Sequence, residues 1–127
     1  MNKSMVLTAA ITAVLSVMVS VFAMAALLRP TELEFEPVDL KIVADGEYIG
    51  FCQNKILFGV VRVSVRNHRM TGIEVLAHKE SYLNYANQTA KDVLTNQSLE
   101  TDSISGATFT CDTIKKAVEN ALKQGIQ

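Results

Sequence analysis

The chain has 127 residues, of which 49% are hydrophobic but only 6% aromatic, with no Trp and a formal net charge of −1. The apolar excess is confined to residues 5–28, which contain no charged residue, Gly or Pro, and the remainder has the composition of an ordinary soluble domain. Residues 29–127 hold 11 Lys or Arg against 13 Asp or Glu with no basic run, which argues against nucleic acid as a partner, and Cys52 and Cys111, 59 positions apart, fit no metal-ligand spacing.

As a helix, the 24 residues 5–28 reach about 36 Å against a hydrocarbon core of about 30 Å, so they can span a bilayer with some tilt. That length exceeds the core of a typical signal peptide. Residues 1–29 are therefore expected to be an uncleaved transmembrane anchor; the small-x-small run Ala23-Met24-Ala25 keeps a cleaved signal as the alternative. Lys3 on one side and Arg29 and Lys41 on the other nearly balance, but a very short N-terminal tail usually stays inside. The expected location is the cell membrane, single-pass, with the C-terminal domain outside the cytoplasm.

Arg29-Pro30 stops the helix, and residues 30–42, with Glu32, Glu34, Glu36 and Asp39, read as a solvated acidic linker. Residues 43–127 then form one small domain. Asp45-Gly46 offers a turn before an extended stretch at residues 47–51. Val61, Val63 and Val65 alternate with Arg62, Ser64 and Arg66, the period of a strand with one buried face. Met70, Ile73 and Val75 resume the pattern after a turn at residues 67–69, which makes His68 an exposed turn residue.

From Ser81 the period changes, and Leu83, Ala86, Ala90, Val93 and Leu94 fall on one helical face. A final helix presents Ile114, Ala117, Val118, Ala121 and Leu122, with Thr110 or Asp112 as its N-cap and Gly125 at its end. The predicted fold class is α+β: a small antiparallel sheet with packed helices, preceded by one N-terminal transmembrane helix. The two cysteines are expected to be buried small apolar residues, with a disulfide outside the cytoplasm as the alternative.

Residues 102–110, Asp-Ser-Ile-Ser-Gly-Ala-Thr-Phe-Thr, crowd hydroxyls and one Gly immediately before a helix start. Gly permits close backbone approach, and free N–H groups at the positive end of the helix dipole favour a phosphate. Ser/Thr/Asp before a helix also cap it, so a non-redox binding or structural module in which residues 102–110 only cap a helix is the alternative.

Asp102-x-x-Ser105-Gly106-Ala107-Thr108, with Thr110 two places on, resembles the flavinylation motif of the FMN-binding domain family, as in the covalently flavinylated subunits of the sodium-translocating NADH:quinone reductase and of the Rnf electron-transfer complex. The resemblance covers about residues 43–124. Asp45-Gly46-Glu47-Tyr48-Ile49-Gly50 is similar to the family's opening Asp-Gly-x-Tyr-x-Gly, and His78-Lys79-Glu80 to a His-x-Glu-Thr segment. Asn67-His68 stands where Gly is frequent, and Cys111 where Ser is usual, leaving open whether its thiol lies near a flavin or packs inward.

The resemblance implies FMN joined by a phosphoester to Thr108 through an FAD:protein FMN transferase, with Asp102, Ser105, Gly106, Ala107 and Thr110 as the recognised segment. Ser105 and Thr110 are expected to donate to the phosphate, and Asp102 to serve the transferase and its metal or to cap a turn. Tyr48, Phe51 and Phe109 are candidates for covering the ring, His78 and Glu80 weaker ones, and the low aromatic count implies an exposed isoalloxazine. With no substrate-processing residues in view, the expected role is a stand-alone, membrane-anchored electron carrier, not an enzyme with its own substrate. Its partners would be membrane electron donor and acceptor proteins or a quinone-linked redox complex; a reductase with its own small acceptor is a further alternative.

Overall fold

In the computed structural model, which describes residues 2–30 and 33–126, the uncharged N-terminal stretch is one helix, α1 (Lys3–Leu28), with no buried residue. The hydroxyls of Thr8, Thr12 and Ser20 donate to the carbonyls of Ser4, Thr8 and Ser16 at 2.8–2.9 Å. These three hydroxyls are thus satisfied within the helix, which suits a lipid-facing segment. The 26 residues rise about 39 Å at ~1.5 Å each, and α1 is long and apolar enough to cross a membrane.

The domain is built on a three-stranded antiparallel meander, β1 (Gly46–Asn54), β2 (Leu57–Arg66) and β3 (Arg69–His78). β2 is central, and the alternation read from its sequence places Val61, Val63 and Val65 inward at no more than 3% exposure. Asn67 and His68 both have positive φ, 52° and 62°, so β2 and β3 close through a mirror-image two-residue turn whose twist suits the strands. The expected extended stretch at residues 47–51 proves longer, running to Asn54 and turning at Lys55 (φ 59°) into β2.

α2 (Leu83–Asn96) packs on β3, and α3 (Thr108–Gln124) lies across β1 and β2 and against α2. The apolar face read for α3 is the buried one, and with Ala86, Ala90 and Val93 of α2 it completes the core. The α+β expectation therefore holds. Two glycines set how closely α3 approaches. A Cβ on Gly50 of β1 would sit 1.8 Å from the Ala117 carbonyl oxygen, and one on Gly125 would sit 2.5 Å from the Tyr48 ring. Gly125 does end the helix, but at φ −93° it is needed for this contact and not for a left-handed cap.

The solvated-linker reading of residues 30–42 is corrected by the structure, although Glu32 of that run lies outside the described residues. Residues 33–42 form a strap along α3, with Leu33, Val38 and Leu40 packed against the core. The Glu36 N–H donates to Oε1 of the fully buried Glu119, Lys123 Nζ pairs with Glu36 at 2.8 Å, and Lys116 Nζ donates to the Glu34 carbonyl. Contact with Lys123 holds the Glu36 carboxyl below its ordinary range. Charge alone pointed to solvent; the apolar residues alternating with the acids are what dock the segment.

Cys52 and Cys111 are free and buried, so the disulfide alternative is excluded. Burial pushes the Cys52 thiol up. The Cys111 thiol packs inward, accepting from the Thr89 hydroxyl at 3.1 Å.

Candidate functional site

The segment 102–110 does not end where the sequence suggested. Neither Thr110 nor Asp112 caps α3: the helix begins at Thr108, its cap residue is Ala107, and no side chain caps it. A tight turn closed by Ala107 N–H to the Ile104 carbonyl (2.9 Å) brings the chain round, with Gly106 at φ +83°. No neighbour lies within 4 Å of a Cβ built on Gly106, so glycine serves the backbone angle there, not a lack of space.

Ala107 is buried and seats the turn, whereas Thr108, the first helical residue, is exposed. The first helical hydrogen bond runs from Cys111 N–H to the Ala107 carbonyl. The N–H groups of Thr108, Phe109 and Thr110 therefore precede the helical ladder and form a set of donors at the positive end of the helix. That absence of a side-chain cap counts against the reading in which these residues only cap a helix.

Thr108 lies in a cleft of about 270 Å³ shared with Gly106, Phe109, Lys79, Tyr82, Ile56 and Leu57, and with Arg29 and Pro30 just beyond α1. Lys79 Nζ stands 5.5 Å from the centre of the Tyr82 ring. One cleft thus combines an exposed hydroxyl, backbone donors, two cationic side chains and two aromatic rings. It can hold an anion at the helix end and a flat ring beside it.

Ser105 and Asp102 are exposed on the approach to the cleft but do not line it. Thr110 is buried, and its Oγ1 lies 3.3 Å from His78 Nε2. His78 Nδ1 is 2.7 Å from the Phe58 carbonyl oxygen. Burial lowers the His78 pKa, favouring neutral imidazole; Nδ1–H then donates to Phe58 and Nε2 accepts from the Thr110 hydroxyl. Thr110 lines the Thr108 cleft, with its hydroxyl turned to His78. It ties the first turn of α3 to the end of β3.

The structure brings Phe109 to the cleft but not Tyr48, Phe51 or Glu80. Tyr48 stacks on Gly125 at the far end of α3 with its hydroxyl on the Ala44 carbonyl, and Phe51 of β1 is 54% exposed and does not line the cleft. Sequence reasoning missed Lys79, Tyr82 and Arg29. A lysine and a tyrosine between strand and helix carry no periodic signal, and only the turn at residues 79–82 delivers them to the helix end.

No match was found among curated proteins. A protein-family model described as the FMN-binding domain matches residues 58–123, from the start of β2 almost to the end of α3 and so just over half of the chain, leaving β1 and the Asp45-to-Gly50 segment outside the match. On that match, and with the motif turn and its helix inside it, the chain belongs to the FMN-binding domain family.

Proposed function

We propose that this protein is a membrane-anchored electron-transfer flavoprotein that carries FMN joined through a phosphoester to Thr108. The observation that carries the reading is the exposed Thr108 hydroxyl at the start of a helix without a side-chain cap, inside a cleft with Lys79, Arg29, Tyr82 and Phe109.

The donor set suits the group. The first-turn N–H groups and the Lys79 and Arg29 charges favour a phosphate, while Tyr82 and Phe109 offer surfaces for a flat ring. A cleft of about 270 Å³ lies just below the usual range of ligand cavities, so the ring would stay largely open to a redox partner. When bound, the flavin supplies one- and two-electron chemistry, and the chain positions it.

In attachment, the Thr108 hydroxyl is the acceptor. A Thr108 Oγ–P bond forms, the pyrophosphate bond of FAD breaks, the hydroxyl proton is lost and AMP departs, with FAD:protein FMN transferase as the enzyme. Gly106 and Ser105 leave the hydroxyl accessible to it, and Asp102, exposed and off the cleft, suits a role in that encounter. Anchoring through α1 outside the cytoplasm raises the effective concentration of the carrier near membrane electron donors and acceptors.

Intact-protein mass tests the reading. After co-expression with the transferase, the chain should gain one FMN less one water, and Thr108→Ala should abolish the gain. No gain, with the transferase shown to load another acceptor, sinks the proposal and favours a module without a redox role. Protease added to intact spheroplasts should digest the domain; full protection overturns the outward orientation.

A further inference from the structure

Away from Thr108, the strap, the 97–101 loop and α3 enclose a second cavity of about 300 Å³. Phe35, Val38, Met70, Leu99 and Leu122 supply apolar walls. One charged group is buried in this lining: Lys115, at 4% exposure. Its ammonium donates to the Thr101 carbonyl and stands 5.9 Å from the centre of the Phe35 ring.

An ammonium has three donors, and one carbonyl occupies one of them. Among the described residues no carboxylate comes within ion-pair distance of Lys115. The nearby acids are engaged elsewhere: Glu119 with Lys116 and Lys123, and Glu36 with Lys123, while the buried Asp112, one turn earlier on α3, has a partner of its own and, among the described residues, no ion pair to Lys115. Glu36 and Glu100, which also line the cavity, are solvent-exposed.

A second observation points to the same corner. Thr101 Oγ1 is buried and has no hydrogen-bond partner among the described residues, although Thr101 is the residue whose carbonyl receives the lysine. A buried cation and a buried hydroxyl that find no counter-charge and no partner among the described residues are both unfavourable. An anionic oxygen placed between them relieves both, through charge-assisted hydrogen bonds.

We propose that this cavity binds a small amphipathic acid, an aromatic carboxylate of one or two rings. Its carboxylate accepts from Lys115 Nζ and Thr101 Oγ1, and its ring packs on Phe35, Leu99 and Leu122. The cavity volume lies at the small end of ligand sites, which excludes larger bodies. A single cation in apolar walls suits one negative charge better than a phosphate. The site is separate from Thr108 and stands whether or not Thr108 carries a flavin.

The test uses the full chain in zwitterionic micelles, 2-naphthoate as probe and neutral 2-naphthamide to account for partitioning, read by amide NMR shifts in residues 97–101 and at Lys115. Saturable shifts are expected with naphthoate, with binding at least tenfold weaker for the amide. Lys115→Met should erase that discrimination, and the near-isosteric Thr101→Val should weaken naphthoate severalfold. Equal binding of the two probes, no saturable shift, or discrimination that survives Lys115→Met overturns the proposal. If Lys115→Met does not fold, unchanged naphthoate affinity in Thr101→Val overturns it instead.

Discussion

Gly50→Ala isolates the contact that holds α3 on the sheet. A Cβ at this position would stand 1.8 Å from the Ala117 carbonyl oxygen, 2.7 Å from the Ala121 nitrogen and 2.8 Å from the Ala121 Cβ. All three atoms belong to the helix backbone or to a Cβ fixed to it, so no side-chain rotation relieves the clash. Ordinary contact requires α3 to lift from β1 by more than an ångström, which loosens Ile114, Ala117, Val118 and Ala121, all at 0% exposure. Overpacking commonly costs about 1–3 kcal/mol where side chains can adjust, and here they cannot, so at least ~3 kcal/mol is expected. For a domain of this size that lowers Tm by about 12–24 °C. Gly72→Ala is the matched control, because a Cβ there meets nothing within 4 Å; it should leave Tm unchanged or slightly raised. The assay is thermal unfolding followed by circular dichroism. A Gly50→Ala midpoint within about 4 °C of the parent would show that α3 does not lie as closely on β1 as argued.

The remaining expectations address the turn, the strap and the buried imidazole. His68→Gly relieves a non-glycine residue at φ 62° and should stabilise the hairpin by about 1 kcal/mol; an unchanged thermal midpoint counts against a strained turn. Glu119→Ala removes the acceptor of the Glu36 N–H and the partner of Lys116, at a cost of about 1–3 kcal/mol, and should expose residues 33–40 to limited proteolysis; a cleavage rate equal to the parent's refutes the docked strap. His78 has a folded pKa lowered by burial, so the unfolded chain binds its proton at higher pH. The stability contributed by neutral His78 is present above the unfolded value near 6.5 and is lost as pH falls through the folded pKa. His78→Asn keeps a donor for the Phe58 carbonyl but cannot titrate, so its unfolding free energy should vary less between pH 7 and pH 5; an identical profile refutes the assignment.

The elements that could be read in the sequence are those whose pattern is set by one neighbour. β2 pairs on both sides and packs under α3, so its alternation is clean; the faces of α2 and α3 show for the same reason. β3 is harder to read, since Met70 and Ile73 both point inward although three positions apart. Register shifts at Ser64/Val65 and Val60/Val61 absorb the extra residues, and a bulge leaves little mark in a single strand. At the site, the motif disclosed Thr108 and its turn, but not where the helix starts, because the N-cap preference of Thr and Asp pointed to Thr110 or Asp112 while Ala107 fills that position without a side-chain cap. Thr110 holds a ligand donor's position in the motif; only the end of β3, 32 residues earlier in the chain, supplies the His78 that accepts its hydroxyl hydrogen bond.

The strap alters how the domain is joined to α1. A free coil of the 13 residues 30–42 would let the domain wander by roughly 20 Å r.m.s. about the end of α1. Docking of residues 33–42 on α3 removes most of that freedom, and α3 is the helix whose first residue is Thr108. The hydrogen bond from Lys55 Nζ to the Leu27 carbonyl, and the presence of Arg29 and Pro30 in the Thr108 cleft, tie the same end of the domain to the end of α1. With α1 in a bilayer, the cleft would face the membrane surface at a nearly constant height. On the proposed function, a redox partner would then have to present its own centre at that height, a geometry that membrane-embedded donors and acceptors meet more readily than freely diffusing ones.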